Sequence, residues 1–338
     1  MFKPGKKIKE NAGLDIGSYS VKVSSVLKQP DKNILTAYNI KRVPLDGGSP
    51  ANTAKIIKEA FDDVDVHPDE INLSISGANV IVRFISLPKM SKEQLESAMI
   101  FEAEKYIPFD VNEVIMDFII LDAPEAGQMN VLLAAAKRDF VQAQIEMMGK
   151  LGMEVKVMDI NAFAVFNSFA AVSLFEEDKG TAFLDLGFSQ TNVLISMGAL
   201  PRFMRLIQIG GKDIAHLLAG EMGISIAAAE ELKLKSEDAN RDKIDQFTLN
   251  VLEELVREIQ LSFGYFENKY SKSVSDIYCS GGMVYQRGVI EYLQENLNAQ
   301  LKVWSPLEGM EVSESLSREA IDPIASQLAG SIGLALRG

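Results

Sequence analysis

The sequence predicts an α/β protein of two related lobes facing a ligand cleft, with a small α+β unit set into the first lobe. Three observations carry this reading. The stretch Asp15-Ile16-Gly17-Ser18-Tyr19-Ser20-Val21-Lys22-Val23 returns in register as Asp185-Leu186-Gly187-Phe188-Ser189-Gln190-Thr191-Asn192-Val193. Each copy lies between strand-like segments and opens one half of the chain, and so long a period indicates paired lobes rather than a solenoid. Between the copies, residues 81–152 follow a strand–helix–strand–strand–helix order of their own, as in an inserted unit.

Residues 1–12 carry four lysines with no apolar run behind them and read as a basic, flexible start, not a signal peptide. Residues 12–16 are apolar, 17–20 form a turn and 21–27 alternate, together a hairpin. Residues 34–43 give a third strand, 53–61 a helix and 71–76 a fourth strand. An extended stretch at 80–87 ends at Pro88. Residues 91–107 read as a helix: Ser91 and Gln94 stand at capping-box spacing, Leu95, Met99 and Tyr106 share a stripe, and Pro108 stops it. Strands follow at 111–122 and 129–136, and a helix at 139–151. The first lobe, 13–176, closes with a strand at 155–159 and a helix at 162–175, and the charged residues 176–179 mark the boundary. The second lobe, 180–338, repeats the opening: a strand to Asp185, a turn, and a strand at 191–197. Helices fill 211–270 as a cap over the cleft. A strand at 275–279 runs into Ser280-Gly281-Gly282 and a further helix.

A length of 338 residues suits two domains. The net charge of −13 argues against nucleic acid as the main ligand, because a phosphate backbone demands clustered Lys and Arg. A local basic pocket for a nucleotide stays open. Cys279 is the one cysteine, which excludes an intramolecular disulfide and a multi-cysteine metal site. His67 and His216 stand far apart and read as surface or packing residues. No run approaches the ~18 apolar residues needed to cross a bilayer. Residues 329–338 pack small residues at helical spacing without the aromatic-tipped face of a membrane-lying helix, so a soluble cytoplasmic protein is expected, meeting membrane only through a partner.

The repeat has a chemistry. Glycine lets a tight hairpin turn adopt strained angles and exposes backbone N–H groups, and the hydroxyl residues beside it add donors. Such a turn cradles phosphates. An aspartate ending the preceding strand reaches the same place and can hold Mg²⁺ through water, because Mg²⁺ keeps much of its hydration shell. One such turn is an ordinary β-turn; two in register would grip a triphosphate from both sides. Ile277 to Met283, a strand, a glycine pair and a helix start, adds a place where a nucleotide can approach closely.

In that order and spacing, these segments resemble the actin, Hsp70 and sugar-kinase superfamily. Within it the chain resembles the PilM family of type IV pilus assembly proteins, and more distantly the division protein FtsA. The resemblance rests on Gly13 to Ser18 with Val21-Lys22, on Ile85-Ser86-Leu87-Pro88, and on Phe101-Glu102-Ala103-Glu104-Lys105-Tyr106-Ile107-Pro108-Phe109. Leu133 to Lys137, Asp185-Leu186-Gly187, Gln208 to Gly211, Ala229 to Lys233 and Gly281-Gly282 extend it to the chain's end. It implies an actin-like, RNase H-like fold with an SHS2-like insertion. It also implies ATP and Mg²⁺ as ligands. Asp15, Gly17, Ser18, Tyr19, Ser20 and Lys22 would serve the first phosphate site, and Asp185, Gly187, Ser189, Gln190 and Thr191 the second. Asp15 and Asp185 would hold the metal through water. Gly210 and Gly211 would stand at the entrance to the helical cap, Gly281, Gly282 and Met283 would form the adenosine loop, and Glu230 and Lys233 would meet ribose and adenine. Read from spacing alone, Glu230 and Lys233 are equally a solvated i,i+3 pair.

The superfamily's water-activating position falls at Asn161, which can orient a water but cannot act as a base near neutral pH, so slow ATP turnover is expected. Asp159, two residues away, is expected to point elsewhere. The resemblance further implies a scaffold that binds the cytoplasmic tail of a PilN-like inner-membrane protein, in company with other pilus proteins, motor ATPases or further copies of itself. Phe101, Tyr106, Ile107, Pro108 and Phe109 crowd one helix end and are the candidate partner-binding residues, the subdomain's own core being the alternative. A filament-forming protein of the FtsA type and a small-molecule kinase are the competing functions. The kinase lacks any second-substrate carboxylate beyond the two hairpin aspartates.

Overall fold

A computed structural model describes residues 9–45, 49–122, 127–172, 175–177, 179–235 and 238–337. The first lobe begins with β1 (Lys9–Ile16), β2 (Ser20–Lys28) and β3 (Asn33–Arg42), an antiparallel meander. Helix α1 (Pro50–Asp62) follows, entered at Ser49, whose hydroxyl accepts from the Asn52 N–H, with Pro50 suited to the first turn. Strand β4 (Glu70–Ile75) then pairs parallel with β1. The inserted unit comprises β5 (Val80–Pro88), α2 (Lys92–Ala103), β6 (Val114–Asp122) and β7 (Gln128–Lys137). Helix α3 (Arg138–Lys150), β8 (Glu154–Ile160) and α4 (Asn161–Ala170) return to the first lobe.

The second lobe repeats the plan with β9 (Gly180–Leu186), β10 (Thr191–Met197) and β11 (Leu200–Ile207), then the cap of α5 (Gly211–Met222), α6 (Ile226–Lys235) and α7 (Asp238–Tyr270). It continues with β12 (Val274–Ser280), α8 (Val289–Asn296) and β13 (Gln300–Val303). Strand β14 (Glu311–Val312), α9 (Arg318–Ile321) and α10 (Ala329–Ala335) complete the chain. The sheets run β14-β3-β2-β1-β4-β8 and β11-β10-β9-β12-β13, with β5-β7-β6 in the insert. The two hairpins superpose as a pattern: Asp15 stands opposite Lys22 across β1–β2, and Asp185 opposite Asn192 across β9–β10.

Four expectations need correction. The chain from Lys9 already lies in β1, so the start of the molecule is not free through residue 12; residues 1–8 lie outside the described residues. Helix α2 keeps the predicted capping box, with Ser91 N–H on Gln94 at 2.9 Å, but ends at Ala103 rather than 107. Pro108 disfavours helical angles for Ile107, and the chain turns instead through Lys105 and Tyr106, whose N–H groups bond the carbonyls of Glu102 and Ala103. The insert closes at Lys137. Beyond it, Met147, Met148 and Leu151 pack with Leu14, Ile57 and Leu73 in the core of the first lobe. The last correction is the largest. The chain's end does not belong to the second lobe: β14 pairs with β3, and α10 lies on α4, β1, β2 and β4.

Small residues make that return possible. A Cβ on Gly333 would sit 1.7 Å from the Ala164 carbonyl oxygen, and one on Gly13 would sit 2.0 Å from that of Ser331. The end is also tied by polar groups. The Asn72 amide donates to the carbonyls of Leu334 (2.8 Å) and Arg337 (2.6 Å), and the Arg337 guanidinium pairs with buried Asp159. Asp159 therefore points away from the cleft, as expected. The helical cap has its own core, where Ala215, Leu218, Ala229 and Ile244 meet. Both histidines are exposed.

The insert is two-faced. Met129, Val131, Leu133 and Ala135 of β7 pack beneath α2 with Leu95, Met99, Ala103 and Ile107. The alternate residue Ala136 faces the other way and packs with Ile75, Val141 and Phe140 of the first lobe. Helix α2 therefore covers the side of the insert remote from the lobe.

Candidate functional site

Lobes and cap enclose a cleft of about 810 Å³. The repeat delivers both hairpins to its floor, because each aspartate ends a strand at the point where a glycine turn reverses the chain. The turns meet directly: Ser189 Oγ and Ser18 Oγ lie 2.8 Å apart, and the Gln190 amide donates to Ser76 Oγ at 3.1 Å. The rings of Tyr19 and Phe188 lie against one another at 4.9 Å. Burial, and then the Glu230 carboxylate, push the Tyr19 hydroxyl above its ordinary range.

The aspartates differ. Asp15 is buried and well supplied: Lys22 Nζ lies 3.1 Å from Oδ2, and Oδ1 accepts from Ser74 (2.9 Å) and Asn161 (3.1 Å). Among the described residues Asp185 accepts only from Ser280 (3.2 Å) and, at 3.4 Å, from Asn192. Burial and then the charge of Asp15 hold its carboxyl well above the usual carboxylate range. A carboxylate whose folded pKa is raised contributes stability below the unfolded value of about 3.9, and loses it as pH rises through the folded value. Asp185→Asn is therefore expected to raise the melting temperature of the ligand-free protein at pH 7, with the gap closing toward pH 4. Melting curves across that range check it, and a lower melting temperature at pH 7 would contradict it.

Gly281 takes φ +93, and a Cβ there would sit 2.5 Å from the Leu186 carbonyl oxygen and 2.9 Å from Asp185 Oδ1. Only glycine lets β12 turn over the second hairpin here. Above it the cap contributes Glu230 and Lys233. They are not solvated: both are buried, Lys233 Nζ lies 2.7 Å from Glu230 Oε2, and it donates to the Gly211 carbonyl at 3.0 Å.

The cleft is lined by Asp15, Gly17, Ser18, Tyr19, Ser20, Lys22, Asn161, Asp185, Gly187, Ser189, Gln190, Gly211, Glu230, Lys233, Gly281, Gly282 and Met283. Two predicted residues stand outside it. Thr191 is buried, with its hydroxyl on the Ile209 carbonyl at 2.9 Å, because it begins β10 on the core side. Gly210 supports α5 from behind, its N–H on Asp213 Oδ2 at 2.8 Å. Sequence reasoning missed Asn192, Ser74 and Gly330. The repeat itself marked Asn192 as the counterpart of Lys22, whereas Ser74 and Gly330 enter only through tertiary packing.

The partner-binding candidates divide. Phe101 is 70% exposed on α2, Ile107 is buried in the insert's core, and Tyr106 and Phe109 pack against that core. Pro108 is exposed. Ile107, Tyr106 and Phe109 belong to the core on the α2 side of the sheet, and the Phe109 ring also meets the Lys137 ammonium at 4.8 Å, where the insert closes. The reason is the early end of α2, which folds Ile107 under the helix.

Two related lobes, paired glycine hairpins and a helical cap over their cleft define a protein of the actin-like ATPase fold. Solved structures bear this out. The ethanolamine utilization protein EutJ from Carboxydothermus hydrogenoformans matches with a TM-score of 0.59 at 14% identity, over 99% of this chain and 92% of that one. An archaeal actin homologue in complex with ADP matches at 0.51 and 13% identity, over 97% and 98%. The family model of the type IV pilus assembly protein PilM matches residues 13–338, and the chain belongs to that family. A PilM–PilN type IV pilus biogenesis complex is 29% identical over 97% of this chain and 98% of that chain, with a TM-score of 0.88. Among the described residues no helix is long and apolar enough to cross a membrane.

Proposed function

We propose that the protein is a nucleotide-loaded scaffold of a type IV pilus assembly complex. It binds Mg²⁺–ATP between its lobes and, on its insert, the cytoplasmic N-terminal tail of a PilN-like inner-membrane protein, which brings it to the membrane face. The observation that carries the nucleotide reading is the pair of facing hairpins, each with an aspartate behind its glycine turn. A divalent cation bound with the triphosphate supplies positive charge among phosphates and carboxylates. Mg²⁺ keeps much of its hydration shell, so the two aspartates would hold it through water.

Asn161 donates to Asp15 and accepts from the Asn192 amide at 3.2 Å, so both ends of its side chain are engaged. It carries no basic group for water activation. Calorimetry is expected to show saturable ATP and ADP binding, and a phosphate-release assay a turnover far below the ~10 per second typical of enzymes. Absence of binding at millimolar nucleotide overturns the nucleotide reading. Fast turnover that vanishes in Asp185→Ala overturns the slow scaffold.

The tail reading rests on the insert's lobe-facing side. The buried pair Ala136 and Val141 continues outward into exposed Ile115, which stands opposite Ala136, and exposed Ile145, one helical turn beyond Val141. Ile119, at 53% exposure, stands on the same face of β6 beyond exposed Asp117. Strand β6 is an edge of its sheet, whereas the other edge, β5, comes against β11 of the second lobe. An extended tail added along β6 would gain main-chain hydrogen bonds and bury alternate side chains on this strip.

A further inference from the structure

Among the described residues, one buried acceptor in the cleft is left without a partner. Asn192 is 3% exposed and lines the cleft, yet its Oδ1 meets no donor. Its orientation is fixed by a chain of bonds that starts at Asp15. That carboxylate can only accept, so Asn161 must present its amide N–H to it, at 3.1 Å. Asn161 Oδ1 is thereby turned to Asn192 and accepts its N–H at 3.2 Å, and the same Asn192 nitrogen lies 3.4 Å from Asp185 Oδ2. Turning the Asn192 amide over would set its oxygen against two acceptors. The orphaned oxygen is therefore built in, although a buried acceptor left unpaired is costly.

The repeat says what is missing. In the first lobe the residue opposite the aspartate is Lys22, an ammonium on the carboxylate. In the second lobe that place belongs to Asn192; among the described residues no cation forms a salt bridge with Asp185, and the Lys22 charge reaches it only from its place on Asp15. A donor that satisfies both Asn192 Oδ1 and Asp185 has to bring protons and positive charge together, and a water on a divalent cation does so.

We propose that Asn192 is a positioning residue for the cation, its Oδ1 accepting a hydrogen bond from a water of hydrated Mg²⁺ in the protein–nucleotide complex, with Asn161 holding it in place. This rests on the nucleotide reading of the cleft. The second lobe then holds the cation through one carboxylate and one neutral amide, and the first lobe through a carboxylate already paired with lysine.

The test is a Mg²⁺ titration of the full chain with ATP, read by calorimetry, beside ATP binding in EDTA. Asn192→Leu keeps the volume and removes the acceptor; it is expected to raise the Mg²⁺ concentration for half-saturation about tenfold while changing Mg²⁺-free ATP affinity less than twofold. Asn192→Asp restores an acceptor and adds charge, and is expected to lower the Mg²⁺ requirement below wild type. A structural role would shift both affinities together, and that result, or an unchanged Mg²⁺ requirement, overturns the proposal. If Asn192→Leu does not fold, Asn192→Asp decides alone. If wild type binds ATP without any Mg²⁺ dependence, the proposal falls and the nucleotide reading stands; if it binds no ATP at all, both fall.

Discussion

Gly333→Ala is expected to destabilise the protein by more than ~3 kcal/mol, while the same change at Gly264 is neutral or stabilising by up to ~1 kcal/mol. At Gly333 the new methyl would stand 1.7 Å from the Ala164 carbonyl oxygen and 2.6 Å from its carbon, both backbone atoms of α4 that cannot rotate aside. At Gly264, in the middle of α7, it would meet nothing within 4 Å. To admit a Cβ, α10 must lift from α4, which uncovers Ile332 and Leu334 and pulls on the Asn72 and Asp159 ties. The cleft would suffer as well. Gly330 leads the same helix, and a Cβ there would stand only 3.3 Å from both Asp15 Oδ2 and the Asn161 amide nitrogen. Urea unfolding of the two variants measures the contrast, with ATP affinity falling alongside stability in Gly333→Ala. Equal behaviour of the two would mean that the chain's end is not packed as described.

Ile119→Asp is expected to abolish binding of the PilN-like tail, at least a tenfold loss, which corresponds to about 1.4 kcal/mol or more. Ile119 is 53% exposed, so the change leaves folding nearly untouched, within ~0.5 kcal/mol as for most surface substitutions. It places a second charge beside Asp117 on the same face of β6, at the outer end of the strip, where a docked tail would have to desolvate it. Phe101→Ser serves as the contrast. It removes the most exposed aromatic of α2, but from the face of the sheet remote from the lobe, and is expected to leave tail affinity unchanged. Pull-down and calorimetry with the tail peptide, with circular dichroism on each variant, separate the faces. Loss of binding in Phe101→Ser with none in Ile119→Asp would move the site to α2.

The cleft was more legible in the sequence than the insert, and the reason is physical. Phosphate-type hairpins are local: Asp15 to Lys22 and Asp185 to Asn192 fold against themselves, so their pattern shows at short range and their repetition removes the ambiguity of a single turn. The fate of Glu230 and Lys233 was not local. Their i,i+3 spacing suits a solvated pair, and only the packing of α6 against Gly211 and the cleft buries them. Thr191 misled because a hydroxyl next to a glycine turn resembles a phosphate donor, while strand alternation had already turned it inward to Ile209. The return of α10 to the first lobe was hidden for another reason. Small residues at helical spacing announce close packing but not the partner, and that partner, α4, lies about half the chain away. Ile115 and Ile119 read as ordinary members of an alternating strand; their exposure is decided by β6 being an edge, which no single strand reveals.

Amide hydrogen exchange on the wild-type protein, alone, with Mg²⁺–ATP, and with Mg²⁺–ATP plus the tail peptide, tests the central claim most directly. The scaffold reading predicts two separate zones of protection. Nucleotide should slow exchange at 16–20, 186–191 and 281–283, where the hairpins and the Gly281 turn line the cleft. The peptide should then slow exchange along β6, residues 114–121, and over the adjoining turn of α3 at 142–148, without altering α2. Peptide protection confined to 92–105, or nucleotide protection absent from both hairpins, would contradict it.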